Sequence, residues 1–335
     1  MMSEKEVLNQ SKSAYNQWAE VWRSHAIENG KKYRADGNSQ RDLLHQGVGK
    51  TLLCVATSPS IEKQVDVIKK YRDEVDILCV DKSYKFLMDN GIKPDYVILC
   101  DAKVNYEEWC KPYIDDTEDV ILFMNVTGNT DWSMNWKGKV IYFVNKDNIQ
   151  SEVEFSQLSG CQELIPAGSN VGNSVVLFST QVLGYDRYLL AGYDYCWSDD
   201  TNYYSGGDTV KRYWMKHLNQ FDRNGRVVYT SQNLFFSVRW LGDYNKNLAM
   251  RGIKVYDCSL HGMLNMPWRD LETMLKLYKR RKLTLQEKQQ IAQSRLKSIV
   301  TRDENQLKEA LGTTEPVEVI VNYLPEDVKQ WLDTA

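Results

Sequence analysis

Six short runs of strand-forming residues limit what this chain can become: TLLCVAT (51–57), VDILCVD (75–81), DYVILCD (95–101), DVILFMNV (119–126), KVIYFVN (139–145) and RYLLAGYD (187–194). Each is continuously apolar rather than alternating, the pattern of strands buried on both faces. Helical stretches separate the first three, IEKQVDVIKKYRDE (61–74) and YKFLMDNG (84–91), the second stopped by Gly91 and Pro94. Strand, helix, strand, helix, strand at this spacing predicts an α/β fold, Rossmann-like, with a mostly parallel sheet flanked by helices.

The ends of the chain read differently. Residues 1–46 are polar, with Leu8, Tyr15, Trp18, Val21 and Trp22 at helical spacing, which predicts one or two helices. Further helices are expected near 209–220 and 231–250, and a last strand in GIKVYDCS (252–259). From Pro267 onward the chain reads as helical, with a basic segment, Lys276–Lys288, that suits a solvated helix face or a partner. The expected organisation is a helical N-terminal extension (1–47), a catalytic core (48–265) and a helical C-terminal extension (266–335).

Composition narrows the class. The 42 Lys and Arg against 45 Asp and Glu give a net charge of −3, which does not indicate nucleic acid as a partner. No apolar run approaches the roughly 20 residues of a membrane helix, and the polar N-terminus is unlike a signal peptide. The seven cysteines are odd in number and lack CxxC spacing, so a zinc site or disulfide framework is not expected. These features predict a cytoplasmic protein. The 20 Tyr and 10 Trp fall largely in polar stretches, where rings with a polar handle suit sugars, bases or interfaces, and a homo-oligomer stays open.

In a parallel sheet, ligands gather beyond the carboxyl ends of the strands. Polar residues stand at those ends here: Thr57, Ser58 and Ser60 after the first strand, Asp81 after the second, Asp101 after the third and Asn125 closing the fourth. The hydroxyls at 57–60 can hold a phosphate or simply cap a helix, while Asn125 can donate to a base or sugar. Asp81 directly precedes a helix and reads as a cap; Asp101 reads as an acceptor-activating base or a metal ligand. Pro166–Asn173 (PAGSNVGN) puts Gly168, Ser169, Asn170, Gly172 and Asn173 at the mouth of a long apolar helix, where exposed N–H groups favour an anion. Asp194 ends the sixth run and is followed by Tyr195, Tyr203 and Tyr204, whose hydroxyls can hold a leaving phosphate. Of the four histidines, His25, His45, His217 and His261, only His261 follows a strand toward this edge, where it can serve as a general base or as a hydrogen-bonded structural residue. Gly47-Val-Gly-Lys-Thr51 is not a P-loop, because Leu44 occupies the required glycine position and the segment precedes its strand.

Together, TSPS (57–60), DKSYKFLMDNGIKPDYVILCDA (81–102), PAGSNVGNSVVLFSTQVLGYDRYLLAGYDY (166–195) and YDCSLHGML (256–264) resemble the motility accessory factor family, which shares a domain with the archaeal 6-hydroxymethyl-dihydropterin diphosphokinases (MptE-like). The resemblance covers roughly residues 50–265 and implies a core akin to the bacterial sialyltransferase fold. It maps Thr57–Ser60 onto a small-residue loop that usually carries glycines, Asp101 onto the acid after the third strand, and Gly168–Asn173 onto a second glycine turn. It also maps Asp194 onto the acid ending a G-x-D strand, and Ser259–Gly262 onto a small-residue turn. Tyr203 and Tyr204 match, by position, tyrosines that hold the donor phosphate in sialyltransferase-like relatives.

The resemblance implies a nucleotide-dependent transferase, first a glycosyltransferase using a nucleotide-sugar, with CMP-linked sugars among the candidate donors, no tightly bound cofactor, Mg²⁺ left open and an unassigned acceptor. In the alternative, a diphosphokinase acting on a pterin-like heterocycle, Asp101 and Asp194 would hold Mg²⁺ on ATP. A third reading is a nucleotide- or partner-binding protein without turnover.

Overall fold

The structure is a computed structural model that describes residues 4–44, 46–146, 149–185, 187–197 and 217–278. The chain begins with a single long helix, α1 (Glu4–Asp36). A 3-10 turn follows at Gln40–Leu43, boxed by Ser39 and Asp42. The core then runs β1 (Thr51–Val55), α2 (Val65–Lys70), β2 (Asp76–Val80), α3 (Asp81–Asp89), β3 (Tyr96–Leu99), α4 (Tyr106–Trp109) and β4 (Ile121–Asn125). It continues with α5 (Thr130–Asn135), β5 (Val140–Lys146), α6 (Ile149–Ser159), β6 (Leu164–Pro166), α7 (Val171–Phe178) and β7 (Arg187–Ala191). A hairpin of β8 (His217–Phe221) and β9 (Val227–Ser231), then α8 (Gln232–Met250), β10 (Lys254–Asp257) and α9 (Leu271–Leu277), complete the described elements.

Eight strands form one parallel sheet in the order β10-β7-β1-β2-β3-β4-β5-β6. Alternate residues of each strand enter different layers. Leu53, Val55, Ile77, Cys79, Val97 and Leu99 pack against the face that carries α1, α2, α3, α6 and α9. Leu52, Cys54, Leu78, Val80, Ile98 and Phe123 pack on the opposite face with α7 and α8. Both sides of every central strand are therefore apolar, which is why the runs in the sequence are continuous. Six of the seven cysteines are buried, and Cys100 is half-buried. No described helix is long and apolar enough to cross a membrane.

Two local expectations change. Residues 217–220, expected at the end of a helix, belong to strand β8, antiparallel to β9; residues 209–216 lie outside the described residues. The pair forms because His217–Phe221 and Val227–Ser231 flank a turn closed by Asp222, whose Oδ1 accepts from the Asn224 and Arg226 amides. The short strand β6 also precedes the glycine turn at 168, pairing with the end of β5. The basic segment Lys276–Lys288 lies outside the described residues beyond Tyr278.

Candidate functional site

The strand order reverses at β1: the chain builds the sheet outward from β1 to β6, then returns to place β7 on the other side of β1. The turns after β1 and β7 therefore leave in opposite directions and open a crevice between them, the usual ligand site of such sheets. Gly192 makes the junction. Its φ is +72°, and a Cβ there would stand 2.6 Å from the Ala56 carbonyl oxygen. Without a side chain, the two loops stay paired past the strands, through Ala56 N–H to the Ala191 carbonyl (3.0 Å) and Ser58 N–H to the Gly192 carbonyl (3.1 Å).

The crevice encloses about 490 Å³ including its open mouth, and is lined by Ala56, Thr57, Ser58, Val80, Asn170, Val171, Gly172, Gly192, Tyr193, Tyr195, Cys196 and Leu234. Three layers meet in it: the β1 turn, the N-terminus of α7 and the Tyr193–Cys196 segment, with Leu234 from α8. Asn170 caps α7 by accepting from the Asn173 amide at 2.9 Å. The Tyr193 hydroxyl donates to the Gly172 carbonyl (3.0 Å), and the Tyr195 hydroxyl donates to Asn173 Oδ1. With those hydroxyls bound inward, both tyrosines offer the crevice mainly ring carbon. Ser169 and Tyr195 are the two non-glycine residues with positive φ among the described residues, at 66° and 56°. Each conformation costs on the order of 1–2 kcal/mol, so the packing around them must hold it.

Of the residues singled out from the sequence, Thr57, Ser58, Asn170, Gly172 and Tyr195 line the crevice. Gly168 and Asn173 support it from behind, and Ser169 is exposed beside it, its hydroxyl 2.8 Å from that of Ser237. Ser60, Asp194 and Ser259 form a buried brace: Ser60 Oγ donates to Asp194 Oδ1 (2.6 Å), the Asp194 amide donates to Ser58 Oγ (3.2 Å), and the Tyr193 amide donates to Ser259 Oγ (2.9 Å). Asn125, also buried, accepts from the Thr127 amide and shapes the turn after β4, outside the crevice lining. Tyr203, Tyr204 and His45 lie outside the described residues.

Charge is arranged around the crevice rather than in it; none of the twelve lining residues is Asp, Glu, Lys or Arg. Burial pushes the Asp194 carboxyl up to about 7, opposed by the Ser60 hydrogen bond, with Asp257 adding to the rise and Arg223 opposing it. Burial likewise raises Asp257 to about 6, against its ion pair with Arg223 at 2.6 Å. His261 is held below its ordinary value by burial, then by Arg226 and Lys63. Arg226 lies 2.8 Å from His261 Nδ1. A guanidinium can only donate, so Nδ1 accepts and a neutral ring carries its proton on Nε2. In this arrangement His261 is a hydrogen-bond donor, and its basic nitrogen is already engaged.

Asp101 and Asp194 are not brought together. They follow β3 and β7, three strand spacings apart, about 14 Å at the usual separation. Asp101 is exposed and accepts from the Lys103 amide at 2.8 Å. Its charged neighbour is instead Asp81, on the adjacent strand end. Asp81 is buried; one oxygen accepts from the Lys82 amide, and the other, Oδ2, has no partner. Burial first, and Asp101 to a lesser degree, raise the Asp81 carboxyl to about 6. Its position before a helix made it read as a cap, but extended Val80 is the capping position and Asp81 is already the first helical residue. Tyr193 and Gly192 were also missed, although the glycine before Tyr193-Asp194 was a visible signal. Ser237 carried none, lying 64 residues beyond Asn173 inside α8.

No curated protein sequence matches the chain. Among solved structures, a MAf glycosyltransferase from Magnetospirillum magneticum AMB-1 is similar at TM-score 0.56 and 17% identity, over 87% of this chain and 45% of that one. The likeness is one of fold, and the chain spans less than half the length of that protein. The family model described as 6-hydroxymethylpterin diphosphokinase MptE-like matches residues 24–200. That match takes in just over half of the 335 residues, from within α1 to beyond the Asp194 turn, and the chain belongs to the MptE-like family.

Proposed function

We propose that the protein is a nucleotide-dependent group transferase, that its nucleotide occupies the crevice between β1 and β7, and that the group transferred is a sugar from a nucleotide-sugar donor. The observation that carries this reading is the lining itself. The N-terminus of α7 and the hydroxyl-bearing residues Thr57 and Ser58 suit a phosphate, while the Tyr193 and Tyr195 rings suit a flat base or sugar face. As the donor bond breaks, negative charge grows on the leaving phosphate, and a helix N-terminus stabilises it without reorganising. Asp101, exposed at the end of β3 two strands from β1, would take the proton of an acceptor hydroxyl that reaches along this edge. Asp194 would act from below, fixing the β1 loop through Ser60 and Ser58.

A second reading has its own observation. Asp81 and Asp101 stand at adjacent strand ends, one with a buried unpartnered oxygen, a donor set suited to Mg²⁺ carried in with ATP. Diphosphate transfer to a pterin-like heterocycle would then use these carboxylates, in place of an Asp101 and Asp194 pair.

A thermal-shift panel of CMP, CMP-sialic acid, UDP-sugars, GDP-sugars, ATP and GTP, each with and without Mg²⁺, separates them, because a ligand that binds the native state raises the melting temperature. Stabilisation by a nucleotide-sugar without metal is the expected result. Stabilisation by ATP only with Mg²⁺ would transfer the assignment to the second reading, and no shift at all would remove the nucleotide site.

A further inference from the structure

The side chain of Asn173 is wholly buried on the first turn of α7 and is bonded to three separate segments, the turn at Gly168, α8 at Ser237 and the loop at Tyr195. Its Nδ2 donates to the Gly168 carbonyl at 2.6 Å and to the Ser237 carbonyl of α8 at 3.0 Å. Its Oδ1 accepts from the Tyr195 hydroxyl. Ser237 closes the loop, its hydroxyl lying 2.8 Å from that of Ser169. A Cβ on Gly168 would fall 2.4 Å from Asn173 Cβ, so the turn rests directly on this side chain.

Ser169 and Tyr195, the two strained non-glycine residues among the described ones, both meet the α7 N-terminus, Ser169 directly before its cap Asn170 and Tyr195 through its hydroxyl on Asn173. Both are tied to the same Asn173–Ser237 pair, one through the Gly168 carbonyl and the serine hydroxyls, the other through the tyrosine hydroxyl. A left-handed serine or tyrosine persists only where its surroundings over-determine it. We propose that Asn173 is a positioning residue: together with Ser237 it clamps Ser169 and Tyr195 in their left-handed conformations and so sets the distance between the α7 N-terminus and the Tyr195 ring. Asn173 itself meets no ligand. An amide is needed here, because the site asks one group to donate twice and accept once, which neither Asp nor Leu can do. The inference rests on the nucleotide-transferase reading for the identity of the ligand, but the clamp belongs to the unliganded protein.

Two measurements keep the two levels apart. Hydrogen exchange on the unliganded full chain tests the clamp alone. In Asn173→Ala, amides at 167–172 and 193–197 should exchange roughly tenfold faster, while those of β2 to β5 keep their rates. In Tyr195→Phe, which keeps the ring, the acceleration should be confined to 193–197. Unchanged exchange at both segments, or acceleration spread evenly over the sheet, would reduce Asn173 to an ordinary core residue and overturn the proposal. Should Asn173→Ala fail to fold, Tyr195→Phe and Ser237→Ala decide the matter by the same comparison. The second measurement is calorimetric titration with whichever panel nucleotide stabilises the wild type. Tyr195→Phe, which leaves the buried Asn173 Oδ1 without its donor, should lower the melting temperature modestly and weaken binding about tenfold at temperatures where the variant is still fully folded, a loss that general destabilisation does not produce. If the wild type binds none of the nucleotides, the functional reading fails, and the exchange data still decide whether the clamp exists.

Discussion

Asp194 sits where a charge is expensive. It is buried behind the crevice, holds Ser60 by a 2.6 Å hydrogen bond, and has its carboxyl raised to about 7. A carboxyl with a folded pKa above its unfolded value near 4 binds more protons folded than unfolded between those limits. Its contribution to stability is complete below about pH 4 and is lost as pH rises through about 7. The protein should accordingly be more stable at pH 5 than at pH 8, with Asp81 and Asp257 adding to the same trend. Urea denaturation at the two pH values should show Asp194→Asn losing less stability over this range than the wild type, by about 1–3 kcal/mol. An identical pH response in the variant would mean that Asp194 is not the buried titrating group. Gly192 gives a second prediction at this scale. Its positive φ and the 2.6 Å approach to the Ala56 carbonyl leave no room for a Cβ, so Gly192→Ala should destabilise by about 2–4 kcal/mol in the same measurement.

At the scale of elements, the long helix α1 is bound to the sheet by polar as well as apolar contacts. Asn29 is fully buried; its Nδ2 donates to the carbonyls of Val126 (2.9 Å) and Gly128 (3.0 Å), and its Oδ1 accepts from Ser133. Asn29→Ala takes the side-chain donor from two carbonyls, while Ser133 keeps its bond to the Thr130 carbonyl, and this should cost about 2–4 kcal/mol in denaturant unfolding. Nucleotide binding should stay within about twofold of wild type, because the turn after β4 lies outside the crevice lining. What the sequence revealed of these elements follows from what buried them. The central strands were legible because each is apolar on both faces, so six runs marked β1 to β5 and β7. Strand β8 was not, because HLNQF has no apolar run and owes its conformation to pairing with β9. The crevice was half legible. Small and polar residues marked the strand ends, but no local pattern distinguishes Asn173, which faces inward, from Asn170, which faces the crevice. Asp81 and Asp101 show the same limit: each ends an apolar run, and only the adjacency of β2 and β3 makes them neighbours.

For the whole molecule, the decisive fact is that the sheet separates two sets of chemical groups. The reversal at β1 puts the α7 N-terminus and the tyrosine rings at the β1–β7 junction, while the carboxylates of Asp81 and Asp101 stand at the ends of β2 and β3. Glycosyl transfer and Mg²⁺-dependent diphosphate transfer make different demands on these sets, so single substitutions can tell them apart. Gly172 lines the crevice, and a Cβ on it would already lie 3.2 Å from Asn170 Oδ1 and 3.3 Å from the Tyr193 ring; a larger side chain must project into the space. Gly172→Val should therefore abolish nucleotide binding under either chemistry. Asp101→Asn should divide them. If a sugar is transferred, the donor stays bound with affinity within about twofold of wild type, in the presence or absence of chelator, and only turnover falls, by about 10²–10⁴ for loss of a general base. If a diphosphate is transferred, ATP binding itself weakens in Asp101→Asn and disappears with chelator, because the ion that links carboxylate to phosphate is lost. Calorimetry on the wild type and these two variants, with and without Mg²⁺, is enough to read the result. We expect the first pattern, and metal-dependent binding abolished by Asp101→Asn would replace sugar transfer with diphosphate transfer as the function of this sheet edge.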